Sequence, residues 1–192
     1  MKKLIAALAL FAMLTGCVTK AGPAYIPYNE IPPDYTLENA KDDGLVVFEN
    51  GSVTSGQPVW DAFIENTERG VRCNVRLAMY YTLGDPSRYS LEHYLEIKNN
   101  YPVMYIQDLN YDGSVYTLYS VEDGNEYLVR YQFLKRFVES SPPANAIYTQ
   151  REMYILVNDD TVTWERIYHG MISSRFGDFI DHRTVYSKYD YK

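Results

Sequence analysis

Cys17 lies in a pattern that predicts covalent attachment of lipid. Two lysines after Met1 precede an apolar run over residues 4–14, and Thr15-Gly16 leads directly to the cysteine. A basic start, an apolar run and small residues before the cleavage point are the parts of a secretory signal. A diacylglyceryl group on the thiol, followed by cleavage, would make Cys17 the new N-terminus. The sequence therefore predicts a signal peptide over residues 1–16 and a lipoprotein held by palmitate-type chains on the extracytoplasmic face of the cell membrane.

The stretch from Asp108 to Gly113 matches the opening of a calcium-binding loop. Asp108, Asn110 and Asp112 occupy its first three ligand positions. The twelfth position holds Tyr119, where such a loop requires a bidentate Glu. Asp-Gly between two alternating runs is also the ordinary signal of a β-hairpin turn. We therefore predict a hairpin here and disfavour a metal site on Asp108, Asn110 and Asp112.

Carboxylates and imidazoles come close together near the C-terminus. They are Asp178, Asp181 and His182, with His169 shortly before them. Acid–base and metal-dependent enzymes use such groups, but the spacing matches no HExxH-type motif. The chain also lacks a nucleophile elbow, an S-x-x-K motif, a phosphate loop and a dinucleotide fingerprint. We predict a non-catalytic domain without a cofactor, and keep an enzyme that uses this cluster as the alternative.

Cys73 is the second cysteine of the chain. If Cys17 carries lipid, Cys73 has no intrachain partner and no internal disulfide can form. A reactive thiol needs a base and an electropositive pocket, and the apolar-rich stretch 71–75 offers neither. We therefore predict that Cys73 is a small buried hydrophobe, as most free cysteines are.

Length and charge limit the class of protein. Removal of residues 1–16 leaves 176 residues, which suits one domain. Hydrophobic residues make up 46% of the chain, which predicts a folded protein. Loss of two lysines leaves 16 basic against 25 acidic residues, a net charge of about −9. This balance argues against binding nucleic acid or an anionic bilayer surface.

The chain is rich in aromatic residues, with 20 tyrosines and two tryptophans. Tyrosines in strand-like runs suit a pleated sheet, and exposed rings can also bind sugars or proteins. Trp164 and Tyr168, four residues apart, are the candidate ligand-binding side chains. A glycan site that combines Trp60 with Trp164 and nearby tyrosines is a weaker alternative, because Trp60 lies on a helical stripe typical of core packing.

Periodicity and turn signals predict the elements that position these residues. Helices are predicted over 36–41, from Pro58 to Arg69, and over 91–98, while 161–171 is ambiguous. Strands are predicted over 45–48, 52–54, 71–82, 103–109, 115–121, 127–133, 147–157 and 184–189. This order indicates an α+β fold: a curved antiparallel sheet of about five to seven strands with two or three helices packed on one face. Four prolines predict that residues 17–35 form a tether before a single globular domain over 36–192.

Two short motifs resemble a family of small bacterial lipoproteins and secreted proteins of unknown function, found largely in Gram-positive bacteria. The motifs are Leu45-Val46-Val47 and Gly84-Asp85-Pro86. The family pairs D-V-V with G-D-P-I, and this chain has Leu45 for the first Asp and Ser87 for the Ile. The similarity covers roughly residues 35–140. The resemblance implies an extracytoplasmic domain and brings no activity, cofactor or site residue.

The sequence therefore predicts a lipid-anchored extracytoplasmic domain that binds a partner. The expected partner is an envelope protein or cell-wall glycan, with membrane contact through the lipid on Cys17 and no binding of nucleic acid.

Overall fold

The computed structural model describes residues 23–122 and 124–192. The predicted signal peptide, Cys17 and the first part of the predicted tether lie outside these residues. The described part contains four α-helices: α1 (Leu37–Asp42), α2 (Gln57–Glu68), α3 (Leu91–Ile97) and α4 (Trp164–Ile172). None of these helices is both long and apolar enough to span a bilayer.

Nine strands in the described part form two sheets. They are β1 (Val46–Glu49), β2 (Ser52–Ser55), β3 (Cys73–Tyr81), β4 (Val103–Tyr111), β5 (Tyr116–Glu122), β6 (Asn125–Tyr131), β7 (Phe133–Glu139), β8 (Tyr148–Val157) and β9 (His182–Tyr191). The large sheet has the order β2-β1-β3-β4-β5-β6, and the small sheet has the order β7-β8-β9. The α+β class is confirmed. The structure differs from the predicted single antiparallel sheet, because β1 pairs in parallel with β3 and the last three strands form a sheet of their own.

The chain changes sheets at Gln132. The alternation over 127–133 predicts one strand, but β6 ends at Tyr131 in the large sheet and β7 begins at Phe133 in the small sheet. The backbone N–H of Gln132 donates to Asn158 Oδ1 at 3.2 Å instead of to a neighbouring strand. The in–out alternation continues across this corner, so the sequence pattern gives no sign of it.

The main core lies between the two sheets and α2. Trp60 of α2 is 1% exposed and stacks on Tyr186 of β9, with ring centroids 4.6 Å apart. Val75 of β3 and Leu156 of β8 join the same cluster, so both sheets contribute to it. The predicted apolar stripe of α2 is therefore confirmed as core packing.

The helices lie on more than one face, unlike the predicted arrangement. In β1, Val46 packs in the main core with α2, whereas Val47 packs on the opposite face with Ala40 of α1. Helix α4 packs on the outer face of the small sheet, where its Ile167 joins a cluster with Met153 of β8. The layers thus run from α1 through the large sheet, the main core and the small sheet to α4.

The segment after Pro23 lies against the outer face of the large sheet. The Arg76 guanidinium lies 5.0 and 4.7 Å from the ring centroids of Tyr25 and Tyr28. The same guanidinium donates to both carboxylate oxygens of Asp108, at 2.7 and 2.9 Å. Tyr25 and Tyr28, which lie in the stretch predicted as a tether, thus pack against the large sheet.

Candidate functional site

A groove of about 830 Å³ runs between α4 and the edge strand β7. This volume lies in the range of about 300–1,000 Å³ that is usual for ligand sites. Both candidate ligand-binding residues, Trp164 and Tyr168, line the groove. Further lining residues include Phe137, Val138, Glu139 and Ile172.

The start of α4 positions the two aromatic side chains. Thr163 caps the helix, because its hydroxyl accepts a hydrogen bond from the backbone N–H of Arg166 at 3.3 Å. The helix therefore begins at Trp164, and Tyr168 follows one turn later on the same side. Their ring centroids are 6.0 Å apart. The ambiguous stretch 161–171 is thus helical from Trp164 onwards.

Strand β7 forms the other wall of the groove. The ring centroid of Phe137 lies 6.5 Å from that of Trp164. Lys135 Nζ donates to the carbonyl oxygens of Asp160 and Val162, the latter at 3.0 Å. This side chain ties the loop before α4 to β7 and so fixes the width of the groove at this end.

Arg151 of β8 holds the Trp164 ring in place. Its guanidinium carbon lies 5.6 Å from the Trp164 ring centroid and 5.1 Å from that of Tyr189. Cation–π contacts of this kind contribute about 0.5–1 kcal/mol at exposed sites. Because Trp164 is also half-buried, packing and the Arg151 contact both restrict its ring before any ligand arrives.

Helix α4 leaves large apolar side chains exposed beside the groove. Tyr168 is 50% exposed, Met171 57% and Ile172 66%. Single exposed apolar residues are ordinary on protein surfaces, but several together beside a groove are typical of an interaction site. Ile167 of the same helix is buried against the small sheet.

In the C-terminal acid–base cluster, each carboxylate has a local hydrogen-bond partner. Asp178 Oδ2 accepts a hydrogen bond from Ser173 Oγ at 2.5 Å, and Asp181 Oδ1 accepts one from Tyr131 OH at 3.1 Å. These carboxylates therefore have separate local partners.

The two histidines of this cluster have different surroundings. His182 Nδ1 lies 2.7 Å from the carbonyl oxygen of Ile180, while His169 lines the groove. Over residues 23–122 and 124–192, no group of three or more His, Cys, Asp or Glu side chains is placed to hold a metal ion.

The calcium-like stretch forms a β-hairpin, as predicted. Asp108 lies on β4 and pairs with Arg76, and Asn110 lies on the same strand in register with Asn74 of β3. Asp112 begins the turn between β4 and β5.

The carboxylate of Asp112 serves that turn. It accepts hydrogen bonds from the backbone N–H groups of Val115 and Ser114 at 2.8 and 2.9 Å, which lowers its pKa. Asp108 thus serves an ion pair with Arg76, and Asp112 stabilises the turn.

Trp60 and Cys73 are both core residues, each 1% exposed. The glycan site that includes Trp60 is therefore wrong, because no ligand reaches its ring. The prediction of a buried Cys73 is confirmed, and its Sγ lies 3.8 Å from the carbonyl oxygen of Phe63.

The sequence pattern missed the contribution of β7. Phe133, Lys135 and Phe137 alternate in the same phase as the strand before them, and this alternation was the available signal. Because the sequence pattern does not reveal the corner at Gln132, it does not show that these residues belong to a second sheet beside α4.

Comparison with protein-family models, curated proteins and solved structures gave no match. The resemblance to small bacterial lipoproteins therefore stays an expectation from sequence.

Proposed function

We propose that this chain is a lipid-anchored extracytoplasmic lipoprotein whose domain binds an envelope protein in the groove between α4 and β7. The observation that carries the proposal is the exposure of Tyr168 and Ile172 beside a groove of about 830 Å³. Aromatic and aliphatic side chains in a partly desolvated groove are the usual anchors of protein–protein recognition.

A protein partner fits this groove better than a glycan. Val138, Val162 and Ile172 are aliphatic lining residues. The Trp164 ring is tilted by 42° and 44° from the rings of Tyr168 and Phe137, so the three rings do not form one flat platform. An apolar, uneven surface favours the side chains of a polypeptide.

Binding is also better supported than catalysis. The Glu139 carboxylate accepts a hydrogen bond from Tyr148 OH at 2.8 Å, and Lys135 donates to backbone carbonyls. Within the described residues, the His169 ring has no hydrogen bond to a hydroxyl or thiol that it would activate as a base.

The layer order supports a groove that faces away from the membrane. Tyr25 lies eight residues after Cys17, which is at most about 28 Å of extended chain. Tyr25 packs at the outer face of the large sheet, whereas α4 packs on the outer face of the small sheet. A lipid on Cys17 would therefore tether the domain from the side of the large sheet, opposite to α4.

The anchor is tested with Cys17→Ser. We expect the variant to accumulate as an unprocessed or mislocalised precursor, measured by membrane fractionation and by the mass of the N-terminal peptide. Cys73→Ser is the matched control, since it removes the other thiol. Normal processing and membrane retention of Cys17→Ser would contradict the lipoprotein proposal.

The binding function is tested by crosslinking in living cells, capture of the tagged full-length chain and mass spectrometry. We expect one recurrent, stoichiometric protein with the unmodified chain and its loss with Tyr168→Ala. Tyr105→Ala, which truncates a tyrosine that is 42% exposed on β4, is the control. Capture that is equal from all three chains would contradict binding in the groove.

A further inference from the structure

We propose that the groove binds an extended polypeptide segment that adds to the small sheet as a fourth strand beside β7. The inference depends on the proposed binding function and names the form of its partner. The segment would hydrogen-bond to the β7 backbone and place alternate side chains in the groove below α4.

The first observation is the open edge of β7. All seven residues from Phe133 to Glu139 pair with β8 on one side. On the other side, no backbone hydrogen bond joins β7 to any other part of the described chain. An edge strand exposes a row of N–H and C=O groups, and extended peptides bind such edges by strand addition.

The second observation is that the open edge and the groove adjoin. Phe137, Val138 and Glu139 belong to β7 and also line the groove. A strand placed beside them would have every second side chain directed towards α4. The large sheet also ends in an edge strand, β6, but the cavity beside it measures only about 180 Å³.

The third observation is that the charges of β7 do not guard its edge. Proteins often protect edge strands with lysines or other charges that project into solvent. Here Lys135 turns towards the loop carbonyl of Val162, and Arg136 Nε donates to Glu152 on β8 at 2.5 Å. Both cations form contacts within the domain, although the Arg136 side chain is 57% exposed, and the apolar Val138 of this edge is 44% exposed.

The charge of the groove indicates a basic segment. Glu139 and Glu165 both line it, and hydrogen bonds from the backbone of Glu165 and from Thr163 lower the Glu165 pKa. These two carboxylates outnumber the single lysine of the lining, Lys135, and give the groove a net acidic character. The segment that fits has apolar residues at alternate positions and at least one Lys or Arg.

The test uses the full-length lipidated chain in detergent micelles as bait for a displayed library of random twelve-residue peptides. Peptides that also bind the Trp164→Ala chain are removed. The enriched peptides are then synthesised with N-methyl groups on the odd-numbered or the even-numbered residues. N-methylation deletes the N–H donors on one side of an extended strand while keeping its side chains.

We expect enriched peptides with alternating apolar residues and a basic residue. N-methylation of one alternate set should weaken binding at least about tenfold, and methylation of the other set should change it less than about threefold. Val138→Lys should weaken binding as well. Leu128→Lys on the β6 edge is the matched control and should leave binding unchanged, since Leu128 is an equally apolar, 55% exposed edge residue.

Two results would overturn the inference. If both methylation patterns have the same effect, the segment binds the groove without pairing to β7, and the proposed binding function stands. If no peptide is enriched over the Trp164→Ala chain, an extended segment is not the occupant. The crosslinking experiment in cells then decides separately whether a folded partner uses the groove.

Discussion

The two tryptophans of this chain lie in similar local settings and have different surroundings. Each is on a helix that packs against a sheet, with other aromatic rings nearby. Trp60 is 1% exposed and stacks on Tyr186 at 4.6 Å. Trp164 is half-buried, and its neighbour Tyr168 is 50% exposed at a centroid distance of 6.0 Å. The first cluster stabilises the fold, whereas the second leaves apolar surface for a partner.

The difference follows from what covers each helix. Trp60 of α2 packs in the main core, to which both sheets contribute. Helix α4 packs against the small sheet through Ile167, and no other element of the described chain covers Tyr168 or Ile172. On the outer face of the large sheet, by contrast, another segment of the chain covers the exposed side: Tyr25 and Tyr28 pack over Arg76.

The largest effect is expected for Trp60→Ala. Removing a fully buried Trp side chain costs about 3–5 kcal/mol in the free energy of unfolding. Urea denaturation followed by circular dichroism measures this loss. A change below about 1 kcal/mol would contradict the assignment of Trp60 to the core.

Trp164→Ala should act mainly on binding. Truncation of an aromatic anchor at an interface costs at least about 2 kcal/mol of binding energy, or roughly 30-fold in affinity. Quantitative capture of the crosslinked partner measures this effect. Urea denaturation of the same variant should show a smaller loss than Trp60→Ala, because Trp164 is only half-buried. A larger loss of stability than for Trp60→Ala would remove the contrast between the two clusters.

The core cluster should also respond to alkaline pH. Burial raises the pKa of Tyr186 to about 12, against about 10 in an unfolded chain. Stability from this group is therefore complete below pH 10 and is lost as the pH rises towards 12. The slope is up to about 1.4 kcal/mol per pH unit. Tyr186→Phe removes the ionising group, so its urea midpoint should fall less between pH 10 and 12; an identical fall would contradict this prediction.

The smallest effect on stability is expected for Tyr168→Ala. Half of Tyr168 is exposed and its ring contacts that of Trp164, and substitutions at exposed positions usually change the free energy of unfolding by less than about 0.5 kcal/mol. The urea midpoint should therefore stay close to that of the unmodified chain while partner capture falls. A clear loss of stability would show that Tyr168 supports the fold and is not reserved for a ligand.

Elements with a one-sided apolar pattern could be predicted from the sequence. The stripe of α2 is an example, because all of its large apolar residues face one core. In α4, Ile167 is buried against the small sheet, whereas Tyr168 and Ile172 stay exposed. The helical spacing of this stretch therefore does not show which of its apolar residues are buried.

The sheet arrangement was less accessible, because strand pairing depends on distant parts of the chain. Val46, Val47 and Phe48 form an unbroken buried run, which is typical of a strand covered on both faces. That run was a sign of the parallel β1–β3 pair. The groove itself could not be predicted, since it forms only where α4 packs on the outer face of the small sheet beside its edge strand β7.

The most direct test of binding in the groove places a photo-reactive amino acid at position 168 of the full-length chain in living cells. Position 91 is the control, because Leu91 is 74% exposed on α3, outside the groove. We predict one discrete crosslinked protein from position 168 that is absent from position 91 and is lost when Trp164→Ala is added. No adduct from position 168, or the same adducts from both positions, would contradict binding in the groove between α4 and β7.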